Sequence, residues 1–508
     1  MNRRSFLSSG FAAAMASQAS GAAEERVNHR LPPTDVHYRR VQSYVEDVPV
    51  PEYRWASGAA YERFRDIKYG VRVHWGPYSI SGEPQESWPF LKMSYPERQR
   101  YQALYQTWNP RGFSAEEWMD LFVACGMKMF AFTSKHHDGF SMFDTRNRVR
   151  QRTNWVAPGG PKVEPCDLAY SMMETPFGRD VVKELSDAAR RRDIKIDLYF
   201  SHPDWYDADF RPYAYHPLQV PSSEVLTTDY ADVKKRLGAD EVIVADPSPV
   251  EVSRMMARHR AQLTELLTKY GPIDMLCLDQ WLGPQVWPAL RETILHLRKI
   301  QPEVMLRARG IGNYGDYYTP EGFVPGDKSN TDTPWFVIYP LGSSFSYERV
   351  AGNYKGAAWV VRNLIDAVAK GGNFMVGIGP DGDGRFHPTA IGQLREVGDW
   401  LKVNGDGVYA TRSRDAGQWS EGGDVRFTQT RDKRIIYAFV LRWPGEKLLL
   451  RSVRPAEGSV VEMLGSSVAL QWRMASDGLE VQFPPGLQDE SQRPCRFAWG
   501  LQIRAATM

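Results

Sequence analysis

Polar side chains able to bind or react close one short apolar run after another: His74, the adjacent His136 and His137, Tyr199 followed by His202, Asp279 followed by Trp281, and Arg309. Imidazoles, a phenol, a carboxylate and a guanidinium gathered at one cleft hydrogen-bond a ligand dense in hydroxyls. Such a ligand is a sugar. The most informative run is Ile273-Asp274-Met275-Leu276-Cys277-Leu278-Asp279-Gln280-Trp281, in which an apolar strand delivers a carboxylate to its C-terminal end beside an aromatic ring. Asp279 is a candidate nucleophile there, although an aspartate at a strand-to-helix junction serves equally well as a helix cap. Downstream, Gly315-Asp316-Tyr317-Tyr318-Thr319-Pro320-Glu321 holds two more carboxylates. Glycoside cleavage needs a second carboxyl that is protonated at neutral pH, and Glu321 is the candidate general acid; a loop glutamate that is merely solvated is the alternative.

A metal centre is the rival reading of the histidines. Neighbouring side chains on a strand point to opposite faces, so His136 and His137 share an ion only if the strand ends before them. The sequence has no His-Glu-x-x-His and no cysteine pair at zinc spacing. No metal and no cofactor is therefore expected. The run Gly377-Ile378-Gly379-Pro380-Asp381-Gly382-Asp383-Gly384 lacks the Gly-Lys-Ser/Thr of a phosphate loop and the closing glutamate of an EF-hand, and reads as a tight turn.

The elements that must position these residues alternate. Strand patterns at 68–74, 128–134, 195–201, 273–279, 304–309 and 373–378 are separated by amphipathic stretches at 114–125, 179–192, 251–270, 286–300, 356–369 and 390–403. This implies an α/β fold, a (β/α)8-like TIM barrel, regular or irregular, over residues 58–410, with its chemistry at the C-terminal ends of the strands. After residue 411 short alternating strands at 434–443, 447–453 and 479–483 predict a C-terminal β-sandwich over 411–508. Residues 24–57 read as an extended lead-in. Two long inserts, 147–175 and 203–248, belong at the mouth of a barrel, as plus subsites or as surface decoration. Arg146, Arg148, Arg150 and Arg152 beside the first insert suit an anionic sugar or a solvated basic face.

Composition narrows the partners. The 508 residues carry 63 Lys and Arg against 61 Asp and Glu, and within residues 1–23 the only charges are Arg3 and Arg4. Without that segment the charges balance, which argues against a nucleic-acid partner. The start, Arg3-Arg4-Ser5-Phe6-Leu7 followed by a short apolar run ending near Ala23, resembles a twin-arginine export signal. It predicts a bacterial periplasmic or secreted protein with no membrane anchor once residues 1–23 are removed. The 16 Trp, 24 Tyr and 22 Phe suit stacking walls as well as a core. Four cysteines are too few for a disulfide scaffold, and only Cys166 and Cys495, both in loop-like sequence, suggest a bridge.

Together these segments resemble the α-L-fucosidases of glycoside hydrolase family 29. Lys68-Tyr69-Gly70-Val71-Arg72-Val73-His74-Trp75-Gly76-Pro77-Tyr78-Ser79 is similar to that family's opening strand, and Lys135-His136-His137-Asp138-Gly139-Phe140 to its double-histidine signature. Leu198-Tyr199-Phe200-Ser201, Lys370-Gly371-Gly372-Asn373 and Tyr409-Ala410-Thr411-Arg412 resemble later blocks. The resemblance implies a retaining exo-glycosidase acting on terminal α-L-fucose of an oligosaccharide or polysaccharide. In it Asp279 attacks the anomeric carbon and Glu321 serves as acid and then base. It also implies that His74, Glu86, His136, His137, Tyr199 and Arg309 hold the sugar or orient the carboxylates, and that Trp281 walls the sugar. Departures from the pattern are Glu86-Ser87-Trp88 for Glu-Trp-Tyr, Cys277 for a tryptophan, and Arg307-Ala308-Arg309 for Asn-Asp-Arg. They leave another α-L-sugar, such as α-L-galactose, and a non-catalytic glycan-binding protein as alternatives.

Overall fold

The computed structural model describes residues 29–32, 35–82, 84–211, 213, 216–218, 246–320, 333–414 and 417–506. Residues 1–23, most of the second insert and Glu321 lie outside them. Seven parallel strands form the first sheet: β1 (Tyr69–Val73), β2 (Met129–Lys135), β5 (Lys195–Ser201), β6 (Met275–Asp279), β7 (Met305–Leu306), β8 (Phe336–Pro340) and β9 (Asn373–Ile378). Their order is β7-β6-β5-β2-β1-β9-β8. Single parallel bridges from Arg307 to Tyr317 and from Tyr318 to Trp335 join the two edge strands. The sheet therefore curls into a ring whose eighth position is a two-residue segment rather than a strand, which makes this an irregular (β/α) barrel. β8 was not foreseen, and β7 is shorter than the sequence pattern suggests.

Helices Ala115–Ala124, Val181–Arg190, Pro249–Thr268, Trp287–Ile300, Ala357–Ala369 and Pro388–Asn404 lie within a few residues of the expected stretches. Their starts are chemically marked. Ser114 accepts from the Glu117 amide, Asp180 from that of Lys183, and Ser248 with Glu251 forms a reciprocal capping box. Such a cap contributes about 1 kcal/mol by satisfying an amide that has no partner inside the helix.

Period-two alternation sets what faces the barrel axis. Ile196, Leu198 and Phe200, like Val71, Val73, Leu276 and Leu278, join the large core under the helices. The intervening residues point inward and stack in layers. The lowest layer is apolar: Met129, Ala131, Met275, Met305, Phe336 and Met375, plugged from below by Tyr61 and Phe64 of helix Gly58–Asp66. Above it lie Arg72, Asp197, Cys277 and Arg307, all almost completely buried. The top layer carries His74, Tyr199 and Asp279.

The lead-in, expected to be extended, contains a short helix, Val36–Val41, and clamps the turn before the eighth position. Asn313 accepts the Leu31 amide on its side chain and the Trp55 indole N–H on its backbone, while the Tyr53 hydroxyl donates to the Tyr314 carbonyl. Asp316 accepts from the amides of Ala56 and Leu306 and pairs with buried Arg298. Of the two carboxylates read from the 315–321 loop, this one is a structural staple. Removing it would leave the Arg298 charge buried and uncompensated.

The first insert is a hairpin, β3 (Val149–Asn154) with β4 (Lys162–Leu168), flanked by the buried Trp155 and Tyr170. From residue 411 an antiparallel sheet runs in the order β10 (Thr411–Arg412), β12 (Val425–Thr430), β13 (Ile435–Val440), β18 (Trp499–Arg504), β15 (Val461–Met463), β16 (Ala469–Ala475), β17 (Gly478–Gln482), β14 (Lys447–Leu450), with β11 (Ser420–Glu421) paired to β12. It folds over one core that includes Phe427, Val461, Leu479, Leu501 and Ile503. It leans on the last two barrel helices through Arg426 to Asp366, the Trp400 indole to the Ala498 carbonyl, and the Gly500 amide to Asn404. All four cysteines are free, so the Cys166–Cys495 bridge does not form; Cys495 accepts from Asn404 instead. Among the described residues no helix is long and apolar enough to cross a membrane.

Candidate active site

Asp279 is the last residue of β6, and its side chain turns into the barrel mouth, where only 6% of the residue is exposed. It caps nothing: the next helical segments begin after Gly283 and Val286. Its Oδ2 accepts a 2.6 Å hydrogen bond from the Tyr199 hydroxyl and lies 3.9 Å from His137 Nε2. Its Oδ1 accepts from Arg309 at 2.7 Å and from Arg307 at 3.3 Å. Burial by itself would raise this carboxyl, but the Arg309 and Arg307 guanidiniums and the Tyr199 hydrogen bond overcome it and hold the group ionised well below the ordinary carboxylate range. The same burial, together with the Asp279 charge, raises Tyr199, so the phenol stays protonated and donates.

β2 ends at Lys135, and the chain then turns through Gly139 at φ 84°. That ending frees His136 and His137 from strand alternation, so both rings reach the same mouth, with centroids 4.2 Å apart. His136 stacks on Tyr199 at 5.6 Å and its Nδ1 meets the Ser87 hydroxyl at 2.5 Å. His74, one residue past β1, lies edge-on to both, with centroid distances of 5.9 Å to each. Burial pushes all three imidazoles down, His137 to about 4 and the other two well below the usual value, so all are neutral near pH 7. Among the described residues no partner meets His74 Nδ1 or His137 Nδ1. Buried ring nitrogens of this kind are costly unless a ligand completes them. No three of the described His, Cys, Asp and Glu residues are grouped to share one metal ion.

Glu86 is buried, and both it and Gln85 sit at positive φ, 58° and 69°. This strained turn aims the next two side chains at the site: Ser87 onto His136, and the half-buried Trp88 onto His137 with a centroid distance of 4.8 Å. Trp205 packs against both Trp88 and His137. Behind them Phe90, Trp155 of the hairpin insert and the guanidinium of Arg98 complete an aromatic wall. Trp88 and Trp205 were not singled out as site residues from sequence. The signal for Trp88 was its place two residues after Glu86.

Trp281 is half-buried, with the guanidinium of Arg40 from the lead-in helix 4.9 Å over its ring. Phe345, which no sequence pattern marked, stacks on His74 at 5.1 Å. It reaches that position only because residue 377 of β9 is glycine; a Cβ there would sit 2.3 Å from the ring. Gly310, at φ 76°, plays the same part after Arg309, where a Cβ would press on the Gln280 carbonyl and the His202 ring. His202 itself donates its amide to the Asp279 carbonyl and meets His259 behind the strand. The basic cluster near the insert is neutralised locally: Arg148 and Arg150 pair with Asp167, Arg152 with Glu164, and Arg146 with Asp144.

Glu321 lies outside the described residues, but the residues leading to it are fixed. Tyr317 and Tyr318 form the eighth ring position, and the Thr319 hydroxyl accepts from Arg307 Nε at 2.7 Å. Of the residues expected at the site, His74, His136, His137, Tyr199, Asp279 and Arg309 come together. Glu86 is buried in the turn that carries Ser87 and Trp88, and Trp281 is tied to Arg40.

The chain is similar to known proteins over most of its length. The Alpha-L-fucosidase family matches residues 50–406, and the Alpha-L-fucosidase C-terminal domain matches residues 420–504. Plasma alpha-L-fucosidase from Pongo abelii is 27% identical over 477 residues, 87% of this chain and 89% of that one. The solved structure of alpha-L-fucosidase isoenzyme 1 from Paenibacillus thiaminolyticus superposes with a TM-score of 0.70 at 24% identity, covering 88% of this chain and 99% of that one. A GH29 alpha-L-fucosidase from Bacteroides thetaiotaomicron, trapped as a covalent intermediate, gives 0.69 at 21% identity, covering 91% and 99%. With the matched region spanning most of the barrel and its site, the chain belongs to the α-L-fucosidase family.

Proposed function

We propose that the protein hydrolyses terminal α-L-fucosides of oligosaccharides or polysaccharides by double displacement, with Asp279 as nucleophile and Glu321 as acid and base. The observation that carries the reading is the state of Asp279: an ionised, almost fully buried carboxylate at the barrel mouth, held by Arg309 and Tyr199 and faced by neutral histidines. In the first step an Asp279 oxygen bonds to the anomeric carbon as the bond to the leaving oxygen breaks, and Glu321 gives that oxygen its proton. In the second, Glu321 takes a proton from water, the water oxygen bonds to the same carbon, and Asp279 departs as carboxylate. Two inversions return the original configuration.

The neutral imidazoles of His74, His136 and His137 offer one donor and one acceptor each, which suits sugar hydroxyls and adds no charge beside the nucleophile. Trp88 and Phe345 supply apolar faces for the carbons. The closing segment 317–319 brings the chain to the mouth two residues before Glu321. Arg3 and Arg4 with the short apolar run behind them support export of the chain to the periplasm or beyond.

The test is release of aglycone from an aryl α-L-fucoside, with the α-L-galactoside in parallel, by the chain lacking residues 1–23 and by its Asp279→Ala variant. Cleavage of the fucoside by the parent and a fall of several orders of magnitude in the variant are expected. Cleavage of the galactoside alone would assign a different sugar, and no difference between parent and variant would remove Asp279 from the mechanism.

A further inference from the structure

Arg307 stands beneath the nucleophile and does more than neutralise it. Its Nε donates to the Thr319 hydroxyl at 2.7 Å, and its NH1 reaches both Cys277 Sγ at 3.2 Å and Asp279 Oδ1 at 3.3 Å. Cys277 also accepts from Arg72 at 2.8 Å, and Arg72 lies 3.6 Å from Asp197. The thiol is thus a soft acceptor between two buried guanidiniums, and Thr319 fixes the third direction of the Arg307 fork. Arg307 is 1% exposed, so the group has no freedom to leave this position.

We propose that Arg307 is a positioning residue for the nucleophile: anchored on Thr319 and Cys277, it presents a second cation to Asp279 and thereby sets the balance between the two displacement steps. The inference rests on the assignment of Asp279 as nucleophile. In the first step the carboxylate gives up its negative charge as its oxygen bonds to the anomeric carbon. In the second that bond breaks, the electron pair returns to the carboxylate, and water supplies the new C–O bond. A fixed cation stabilises the charged carboxylate, which makes it a weaker nucleophile in the first step and a better leaving group in the second. With Arg309 already at 2.7 Å, Arg307 shifts the arrangement further toward rapid release of the covalent intermediate. The other groups facing Asp279 are the phenol of Tyr199 and the imidazole of His137, and the Asp279 charge also reaches the imidazoles of His74, His136 and His202 and the Cys277 thiol. Arg307 also holds the segment leading to Glu321, through the Thr319 hydroxyl.

The experiment compares the chain lacking residues 1–23 with Arg307→Gln and Thr319→Val on an aryl α-L-fucoside. With the second cation gone, the acid limb of the kcat/KM profile moves up by about one pH unit, because Asp279 protonates more readily. Release of the covalent intermediate slows, so rapid mixing shows a burst of aglycone that the parent lacks. Thr319→Val removes the anchor but not the charge and moves the limb the same way by less. This variant also decides the matter should Arg307→Gln fail to fold. A uniform loss of kcat/KM with an unmoved acid limb and no burst in the variants would overturn the proposal and leave Arg307 a packing residue. A parent that cleaves no α-L-fucoside would overturn the functional reading beneath it, so the two failures are distinct.

Discussion

At the residue scale, the chemistry depends on a carboxylate kept charged where burial alone would neutralise it. Tyr199→Phe keeps the ring and removes the 2.6 Å hydrogen bond to Asp279. A hydrogen bond to a charged group contributes about 1.5–3 kcal/mol, so kcat/KM on an aryl fucoside is expected to fall roughly 10- to 100-fold with the fold unchanged by circular dichroism. Activity equal to the parent would show that Arg309 suffices to orient Asp279. The core of this site was legible because period-two alternation points His74, Tyr199, Asp279 and Arg309 along one axis. The histidine pair was legible only conditionally, since it needed the strand to stop at Lys135. The wall of Trp88, Trp205 and Phe345 was not legible: Trp88 depends on two consecutive left-handed residues, and Phe345 depends on the absence of a side chain at Gly377, a position far away in sequence.

At the scale of elements, the site is assembled by segments that carry no catalytic group. Gly377→Ala places a Cβ against Phe345 and displaces that ring from His74. A shift of this kind at a positioned side chain is expected to lower kcat/KM by roughly tenfold or more while the melting temperature changes little; an unaltered kcat/KM would show that the stacking is incidental. The lead-in is the second such element. Removing residues 29–49 takes Glu46 from Trp287, Arg291 and Tyr314, and Arg40 from Trp281. The truncated chain should lose thermal stability and activity together, and full retention of both would show that the clamp is dispensable. Helices with capping residues and six of the barrel strands could be read from the sequence because local signals suffice for them. β8 escaped because its apolar run is short and its partner, β9, is more than thirty residues away. The hairpin β3–β4 escaped because its strands are polar and half-exposed, with charge pairs such as Arg152 to Glu164 in place of apolar alternation.

At the scale of the whole molecule, the many buried imidazoles couple folding to pH. His137 and His202 are pushed down to about 4 and His216 to about 3, and His74, His136 and His259 lie well below their ordinary value, all chiefly through burial. As pH falls below about 6.5 the unfolded chain takes up protons that the folded one refuses, so stability declines with acidification. Asp138 and Asp197, raised by burial to about 6, and Asp207, raised to about 7, together with Asp180 and Asp274, which burial also raises, act in the opposite sense, because the folded chain binds their protons first. The six imidazoles outweigh these five carboxyls, of which Asp180 and Asp274 are not buried completely, and the melting temperature is expected to fall from pH 7 to pH 4.5; a flat or rising curve would contradict the burial of the histidines in neutral form. The β-sandwich is expected to unfold with the barrel, since Arg426, Trp400 and Asn404 join them. The central claim, that Asp279 is the group that takes up the sugar, is tested most directly by treating the protein lacking residues 1–23 with 2-fluoro-fucosyl fluoride and mapping the product by peptide mass spectrometry. A single fluorofucosyl ester on Asp279 is the expected result, and an adduct on another residue, or none on a protein that turns over an aryl fucoside, would contradict it.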